Sequence, residues 1–162
     1  MAEIGRQITK DYTDPLPLRL VGLLKGGCFL LADLARAIER ETSLDFMAVR
    51  SYGQGTRSSG QLRVTKDLDD PIAGLDVLVI EDIVDTGQTL GRVLDMLRGR
   101  EPRSLRVATL LDKPSRRVRD VELAYVGFEI PDEFVVGYGL DYAERYRNLR
   151  DICVLEAASG AP

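Results

Sequence analysis

Three acidic residues stand close together at the end of the most apolar stretch of the chain. Glu81 and Asp82 directly follow the apolar run Val77–Ile80, and Asp85 comes three residues later. The loop at residues 85–89 is rich in glycine and threonine and opens a helical pattern. Such a loop offers backbone N–H groups, hydroxyls and a helix N-terminus, which together favour an anion, most simply a phosphate. Carboxylates beside a phosphate-binding loop predict a site for a phosphorylated sugar.

Strands and helices alternate along the chain, which predicts the α/β class with a mainly parallel central sheet flanked by helices. The run Val77–Ile80 is short and continuous, as is typical of a strand covered on both faces. In such sheets ligands bind just outside the carboxyl ends of the strands. Predicted helices span residues 2–13, 28–40 and 89–98. Predicted strands span residues 18–24, 44–51, 62–68, 77–80, 105–111, 123–128, 134–137 and 152–155.

Two further features follow from the same patterns. Residues 44–68 are predicted to form a long hairpin, and its connection, rich in glycine and serine, is predicted to be a mobile loop. Residues after Lys113 are mostly strand and loop, which suits a small C-terminal cap within about residues 115–155.

The apolar face of the second helix is predicted to bury four side chains. These are Phe29, Leu30, Leu34 and Ile38.

Length and composition restrict the class of protein. The 162 residues suffice for one domain with a proper core, and the 44% hydrophobic and 30% charged fractions are ordinary for a globular protein. No apolar run approaches the roughly 20 residues of a membrane helix, and the N-terminus lacks the apolar core of a signal peptide. We therefore expect a cytoplasmic protein with no membrane partner. The net charge of −4 argues against nucleic acid as a partner.

The chain contains no histidine, which excludes Ser-His-Asp and Cys-His catalysis and the common zinc sites. Acid–base chemistry must then come from carboxylates, lysine, tyrosine or the substrate. Any metal is expected to be a hard ion on oxygen ligands, and Mg²⁺ is the leading choice. Cys28 and Cys153 lie in apolar stretches and are predicted to be small core residues.

Several long motifs, in the same order along the chain, resemble the type I phosphoribosyltransferases. Residues 77–90 resemble the family's phosphoribosyl pyrophosphate motif, and their Glu-Asp-Ile-Val-Asp-Thr-Gly wording is that of the hypoxanthine-guanine branch. The likeness extends from about Ile4 to about Leu155. Further counterparts are Leu24–Gly27, Ser51-Tyr52, Leu110–Pro114 and Val126–Glu144. The resemblance implies the type I phosphoribosyltransferase fold.

The resemblance also implies an activity and a set of binding residues. The activity is Mg²⁺-dependent transfer of phosphoribosyl from phosphoribosyl pyrophosphate to hypoxanthine, with guanine as a second base, in a homodimer or homotetramer. Glu81 and Asp82 would hold the ribose hydroxyls and a first Mg²⁺, and Asp141 a second Mg²⁺. Asp85 would be the general base. The 5′-phosphate would contact Asp85, Thr86, Gly87, Gln88 and Thr89. Pyrophosphate would contact Lys25, Gly26 and Arg147, and the purine Lys113, Phe134 and Val135.

Closure and base choice complete the expected mechanism. Ser51 and Tyr52 open the predicted mobile loop, which in the family closes over the reacting centre and excludes water. A lysine side chain donates hydrogen bonds and cannot accept them. Lys113 over a purine would therefore select an exocyclic carbonyl over an amino group. In some family members a lysine replaces Gln88, so the phosphate anchor here is expected to be less electrostatic.

Each of these residues also has a plainer structural interpretation. Asp85 is a favoured helix N-cap, Lys113 and Arg147 could be surface cations, and Phe134 could belong to the core. The Lys25-Gly-Gly turn could be a simple connection, although in the family its Leu-Lys peptide can be cis. Relatives usually carry a segment before the first helix, so either the cap is smaller here or the start is incomplete.

Three other functions compete with the leading one. A sister enzyme could use xanthine or another base. A regulatory RNA-binding protein could use the same scaffold, with the basic cluster 113–119 as a contact surface. A phosphoacceptor signalling domain also places acids after an apolar strand, but it leaves the Gly/Thr loop and Phe134 unexplained.

Overall fold

A six-stranded sheet forms the centre of the computed structural model, which describes residues 1–51 and 62–156. The strand order is β3-β2-β1-β4-β5-β6, and every pairing except that of β2 with β3 is parallel. The sheet strands are β1 (Leu18–Leu23), β2 (Thr42–Ser51), β3 (Leu62–Lys66), β4 (Asp76–Val84), β5 (Ser104–Asp112) and β6 (Tyr125–Glu129). The helices are α1 (Ala2–Asp11), α2 (Gly27–Ala37) and α3 (Gln88–Arg98), with a short 3₁₀ turn at Pro114–Arg116. The predicted α/β class and the predicted hairpin of β2 and β3 are confirmed.

The two faces of the sheet bury separate apolar layers. Successive side chains of a strand point to opposite faces, and β4 supplies both layers. Leu78 and Ile80 pack with α1 and α2, whereas Val77 and Val79 pack with α3. All four of these side chains are fully buried. The helices therefore cover both faces of β4, which explains its continuous apolar run.

Strand β4 continues past the point predicted from the sequence. The apolar run ends at Ile80, but the ladder with β5 goes on through Ile83↔Leu111 and Val84↔Asp112. The prediction that Glu81 and Asp82 end the strand is therefore wrong. Backbone pairing with β5 does not depend on side-chain polarity, and both acids lie inside the strand.

Other element boundaries shift by a few residues. Helix α1 ends at Asp11 rather than residue 13. Helix α2 ends at Ala37 rather than about residue 40, because Ile38 is extended with φ −86° and ψ 118°. Strands β3, β5 and β6 lie within one to two residues of their predicted ends. The predicted turn after Lys113 is the 3₁₀ turn.

A small second sheet covers the carboxyl end of the main one. It consists of β7 (Val135–Val136) and β8 (Cys153–Val154), paired antiparallel. We call β7, β8 and the connecting residues 137–152 the cap. Val135, Tyr138 and Leu140 pack against the layer formed with α1 and α2. The cap is therefore attached on one face of the sheet.

Three predicted core residues are not fully buried. Phe29 is 37% exposed and faces Tyr138 of the cap, with ring centroids 6.4 Å apart. Cys153 is exposed and Cys28 is half-buried. The core prediction is wrong for Cys153, because a two-stranded sheet at the surface buries few of its side chains.

None of the helices within 1–51 and 62–156 is long and apolar enough to cross a membrane.

Candidate active site

Two cavities open side by side at the carboxyl edge of the sheet. The loop cavity, of about 300 Å³, is lined by Glu81, Ile83, Val84, Asp85, Thr86, Gly87, Thr89 and Leu90. The cap cavity, of about 250 Å³, is lined by Asp82, Ile83, Asp85, Lys113, Phe134, Val135, Leu140 and Asp141. Ile83 and Asp85 line both cavities. The structure thus brings the predicted phosphate residues, except Gln88, to one cavity and the predicted purine residues to the other.

The consecutive acids of β4 face different cavities. Glu81 lines the loop cavity and Asp82 lines the cap cavity, as expected for neighbours on one strand. Burial raises the pKa of Glu81 well above its ordinary value, and the negative charge of Asp82 raises it further. Burial also raises the pKa of Asp82, while the backbone N–H of Ile83 donates to its carboxylate at 2.9 Å and opposes that shift. Both carboxylates are poised to gain from a nearby cation or donor.

A glycine turn between β1 and α2 approaches Asp82 closely. A Cβ atom built on Gly26 would overlap the Asp82 carboxylate, so a larger residue at this position would have to displace that side chain. The carbonyl oxygen of Gly26 lies 2.6 Å from where a Cβ of Gly139 would stand. The Leu24-Lys25 peptide bond is cis. The turn is therefore packed between β4 and the cap and is more than a simple connection.

The loop before α3 is held in place by backbone hydrogen bonds from the segment that follows β5. Gly87 is the N-cap of α3 and has a φ of +75°, a conformation that favours glycine. The N–H groups of Val118 and Arg119 both donate to the carbonyl oxygen of Thr86 at 3.0 Å. The N–H of Gln88 donates to the Thr86 hydroxyl at 3.4 Å. The loop therefore presents the start of α3 to the cavity.

Asp85 is not the cap of α3, because the helix begins after Gly87 without a side-chain cap. Its carboxylate instead accepts a hydrogen bond from Nε of Arg116 at 3.2 Å. Arg116 also lies 3.5 Å from Asp132. Sequence reasoning missed Arg116 as a site residue, although the basic cluster 113–119 was the available signal.

The arginines of that basic cluster pair with acids of the same chain. Arg117 pairs with Asp112, and Arg119 pairs with Asp95 at 2.6 Å. Together with the pair of Arg116 and Asp85, these contacts fix the segment against β5 and α3. The positive charges of these arginines are therefore balanced by carboxylates of the same chain, which does not favour an RNA-binding surface.

Two predicted purine-binding residues, Lys113 and Phe134, are neither a surface lysine nor a core residue. Lys113 is 7% exposed and is therefore no surface lysine. Its Nζ donates to the carbonyl oxygen of Glu133 at 2.6 Å. Phe134 is 51% exposed and is therefore no core residue, and its ring meets Tyr142 edge-on at 5.7 Å. Ile83, which lines the same cavity, was missed because its apolar side chain gives no chemical signal.

The predicted pyrophosphate residues meet beside the cap cavity. The side chain of Arg147 is 22% exposed, and its guanidinium contacts Asp141 at 2.8 Å and donates to the Gly139 carbonyl at 2.7 Å. Arg147 is therefore no free surface cation. Lys25 and Arg147 both contact Glu144. Ser51 ends β2, whereas Tyr52 lies outside the described residues, so the predicted loop closure is untested.

The donor set fits Mg²⁺ only with help from a ligand. Asp82 and Asp141 line one cavity, and the raised pKa values of Glu81 and Asp82 show that nearby positive charge would stabilise these carboxylates. Within the described residues no three acidic side chains gather closely enough to hold a metal by themselves. Mg²⁺ is commonly held by one or two carboxylates together with phosphate oxygens and water. The carboxylates present here suit that mode.

Comparison with known proteins decides the family. The phosphoribosyl transferase domain model matches residues 2–143. This chain belongs to the phosphoribosyltransferase family. It is 51% identical to the hypoxanthine-guanine phosphoribosyltransferase of Bacillus subtilis, covering 96% of this chain and 86% of that protein. It is 53% identical to the hypoxanthine phosphoribosyltransferase of Salmonella typhimurium, covering 92% and 84%.

Solved structures of the family have the same fold. A hypoxanthine phosphoribosyltransferase from Staphylococcus aureus superimposes with a TM-score of 0.91 at 52% identity, covering 96% of this chain and 84% of that one. A hypoxanthine-guanine phosphoribosyltransferase from Bacillus anthracis gives 0.90 at 42% identity, covering 96% and 91%. The chain therefore has the type I phosphoribosyltransferase fold and belongs to the hypoxanthine-guanine branch.

Proposed function

We infer that this phosphoribosyltransferase acts in purine salvage. It transfers the phosphoribosyl group of phosphoribosyl pyrophosphate to hypoxanthine or guanine, giving IMP or GMP and pyrophosphate. The observation that carries this proposal is that Ile83 and Asp85 line both cavities. A phosphorylated ribose in the loop cavity and a base in the cap cavity would meet at Asp85, where the new bond must form.

The loop cavity suits the phosphoribosyl group. The N-terminus of α3, the Thr86 hydroxyl and backbone N–H groups favour the 5′-phosphate. Gln88 and Thr89 are exposed at this helix start and can add contacts. Glu81, which lines this cavity, and Asp82, which lines the neighbouring cap cavity, would accept hydrogen bonds from the ribose hydroxyls. These contacts hold C1 of the ribose towards the cap cavity.

The cap cavity suits a 6-oxopurine. Phe134 and Ile83 offer apolar surfaces for the ring, and the backbone of Val135 can hydrogen-bond its edge. Lys113 uses one donor on Glu133, and its ammonium group has three. A remaining donor would reach the 6-oxygen of hypoxanthine or guanine, whereas adenine offers an amino group there. The same reasoning admits xanthine as an alternative base, because xanthine also has a 6-oxygen.

Asp85 is the proposed general base. It lines both cavities and accepts a hydrogen bond from Nε of Arg116. Its carboxylate would accept the proton that the purine nitrogen loses as the bond to C1 forms. Arg116 would hold the carboxylate in place during this step.

Lys25, Gly26 and Arg147 are proposed to bind the pyrophosphate group. Two cations and a turn without side-chain bulk suit a highly charged leaving group. Mg²⁺, held by Asp82, Glu81 and Asp141 with substrate oxygens, would neutralise charge that develops on pyrophosphate. Closure by the segment after Ser51 would exclude water from the reactive sugar. The cytoplasmic location and the dimer or tetramer stay predictions.

A substrate panel tests the proposal. The purified chain, with phosphoribosyl pyrophosphate and Mg²⁺, is offered hypoxanthine, guanine, xanthine and adenine separately in a spectrophotometric assay. We expect turnover of hypoxanthine and guanine and none of adenine. Asp85→Asn should lower turnover by about 100- to 10,000-fold, as for loss of a general base, while phosphoribosyl pyrophosphate still binds.

Adverse outcomes of this panel are distinct. Failure of every base would overturn the proposed activity. Turnover of adenine at the rate of hypoxanthine would overturn the role of Lys113. Unchanged turnover in Asp85→Asn would remove Asp85 as the general base, leaving the activity itself intact.

A further inference from the structure

One carboxylate joins the two cations that are proposed to bind pyrophosphate. Oε2 of Glu144 lies 2.6 Å from Nζ of Lys25, and Oε1 lies 3.3 Å from Nη2 of Arg147. Lys25 belongs to the turn after β1, whereas Arg147 belongs to the cap. Glu144 therefore satisfies, from within the chain, the two groups that an anionic ligand would satisfy.

The backbone holds Glu144 in this position through a tight turn. Tyr142 and Arg145 exchange backbone hydrogen bonds of 3.1 and 3.0 Å around Ala143 and Glu144. The φ angles of these two central residues are +51° and +63°. Two consecutive left-handed residues form a turn that ordinarily uses asparagine and glycine. Non-glycine residues in this conformation are strained and concentrate at functional sites.

Asp141 ties the same turn to Arg147. Its Oδ2 accepts from the backbone N–H of Glu144 at 2.8 Å, and its Oδ1 lies 2.8 Å from Nη2 of Arg147. The carboxylate of Glu144 is thus fixed beside the cations by its own backbone. Removing its charge would leave the turn and the cations in place.

We propose that Glu144 is an internal counter-anion, which occupies the cationic pair of Lys25 and Arg147 in the free enzyme and is displaced by the pyrophosphate group. It thereby sets the affinity for phosphoribosyl pyrophosphate and eases the release of pyrophosphate. This inference rests on the proposed function, because it concerns the leaving-group side of the same site.

The contact between Lys25 and Glu144 is weak enough to be exchanged for a contact with pyrophosphate. The side chains of Lys25 and Glu144 are 62% and 65% exposed, and exposed ion pairs contribute little stability. Pyrophosphate carries several negative charges and competes well for the same two cations. A single carboxylate can therefore tune binding without blocking it.

Glu144→Gln tests the inference, because it removes the charge and keeps the shape. Binding of inorganic pyrophosphate with Mg²⁺ is measured by calorimetry. We expect about three- to tenfold tighter binding, the scale of one exposed charge interaction. KM for phosphoribosyl pyrophosphate should fall similarly, while KM for hypoxanthine stays constant. The gain should shrink at high salt, since exposed charges are screened.

Glu101→Gln is the matched control, because Glu101 is also an exposed glutamate with positive φ (+57°). It lies just before β5, at the end of the sheet away from the cavities, and its substitution should leave pyrophosphate affinity unchanged. Glu144→Asn is the second variant, since asparagine tolerates the left-handed conformation. It should also bind pyrophosphate more tightly, which separates the effect of charge from that of strain.

The outcomes separate this inference from the proposed function. Unchanged or weaker pyrophosphate binding in both Glu144 variants, with catalysis intact in the parent chain, would overturn the inference alone. Absence of both pyrophosphate binding and turnover in the parent chain would overturn the inference together with the proposed function. An equal gain in Glu101→Gln would also overturn it, because any lost negative charge would then suffice.

Discussion

The adjacent acids of β4 show how strand geometry distributes chemistry at the scale of single residues. Glu81 faces the loop cavity and Asp82 the cap cavity, although they are neighbours in sequence. Both have raised pKa values because burial disfavours their charge. The site therefore holds carboxylates in a state that costs stability until a ligand or cation arrives.

Glu81→Gln should stabilise the free protein at neutral pH. A raised pKa in the folded state means that folding favours the protonated acid. The free energy of unfolding then falls as pH rises from the ordinary pKa of glutamate, about 4.3, towards the raised value. Glutamine cannot ionise and escapes this loss. Thermal unfolding in magnesium-free buffer should show a higher melting temperature for the variant near pH 8.

The same comparison includes its own internal control. Near pH 4 both proteins carry a neutral side chain at position 81, so their melting temperatures should converge. Glu101→Gln should show no such pH-dependent gain. An equal difference at both pH values would mean that packing, and not ionisation, separates the variant from its parent.

At the scale of elements, the segment after β5 braces the phosphate loop. Val118 and Arg119 donate to Thr86, and the carbonyl oxygen of Arg119 stands where a Cβ of Gly87 would be. Gly87→Ala would therefore add both a strained φ and a steric overlap. We expect it to destabilise the protein by more than about 1 kcal/mol and to raise KM for phosphoribosyl pyrophosphate.

Gly74→Ala separates the cost of the strained φ from the cost of the steric overlap in Gly87→Ala. Gly74 has a φ of +72°, close to that of Gly87, but nothing lies within 4 Å of an added Cβ. It should show the cost of strain alone, with KM unchanged. Chemical denaturation and steady-state kinetics of both variants provide the measurement. Equal destabilisation in the two would show that the contact with Arg119 is unimportant.

Sequence patterns predicted elements that have their own periodicity or motif. The strand–helix order, the hairpin and the Gly/Thr loop before α3 were all correct, because each depends on local residue types. The continuation of β4 through Glu81 was not predictable, since pairing with β5 overrides polarity. The surface position of Cys153 depends on the small size of the cap sheet.

The site shows the same division. Most of the predicted site residues line one of the two cavities, whereas Lys25, Gly26, Gln88 and Arg147 line neither of them. Arg116 was missed because the basic cluster 113–119 does not distinguish it from its neighbours, and Ile83 was missed because an isoleucine in a strand carries no chemical signal. Glu144 was missed as well, since its contacts with Lys25 and Arg147 are formed across the fold. The proposed roles themselves stay predictions.

At the scale of the whole molecule, both apolar layers pack on the same sheet, and we expect them to unfold together. Leu78 lies in the layer with α1 and α2, and Leu97 in the layer with α3, and both are fully buried. Leu78→Ala and Leu97→Ala should each destabilise the protein by about 2–5 kcal/mol. Because both layers pack on the same strands, each variant should unfold in one transition. The transition is measured by circular dichroism and by tyrosine fluorescence, since the protein has no tryptophan.

Coincident curves from the two probes would support a single cooperative unit. A variant in which one probe reports an earlier transition would show that the two layers unfold separately. Glu101→Gln again provides the reference, because it alters the surface and neither layer.

Strand alternation also limits how the gene for such a protein can change in length. Inserting or deleting one residue between Asp76 and Ile80 would exchange the faces on which Glu81 and Asp82 stand, and would invert the apolar layers with them. An indel of two residues would restore the faces but move both acids about 7 Å along the strand. Surface connections tolerate length variation, so we expect relatives to differ in length there and to keep the spacing from β4 to the phosphate loop.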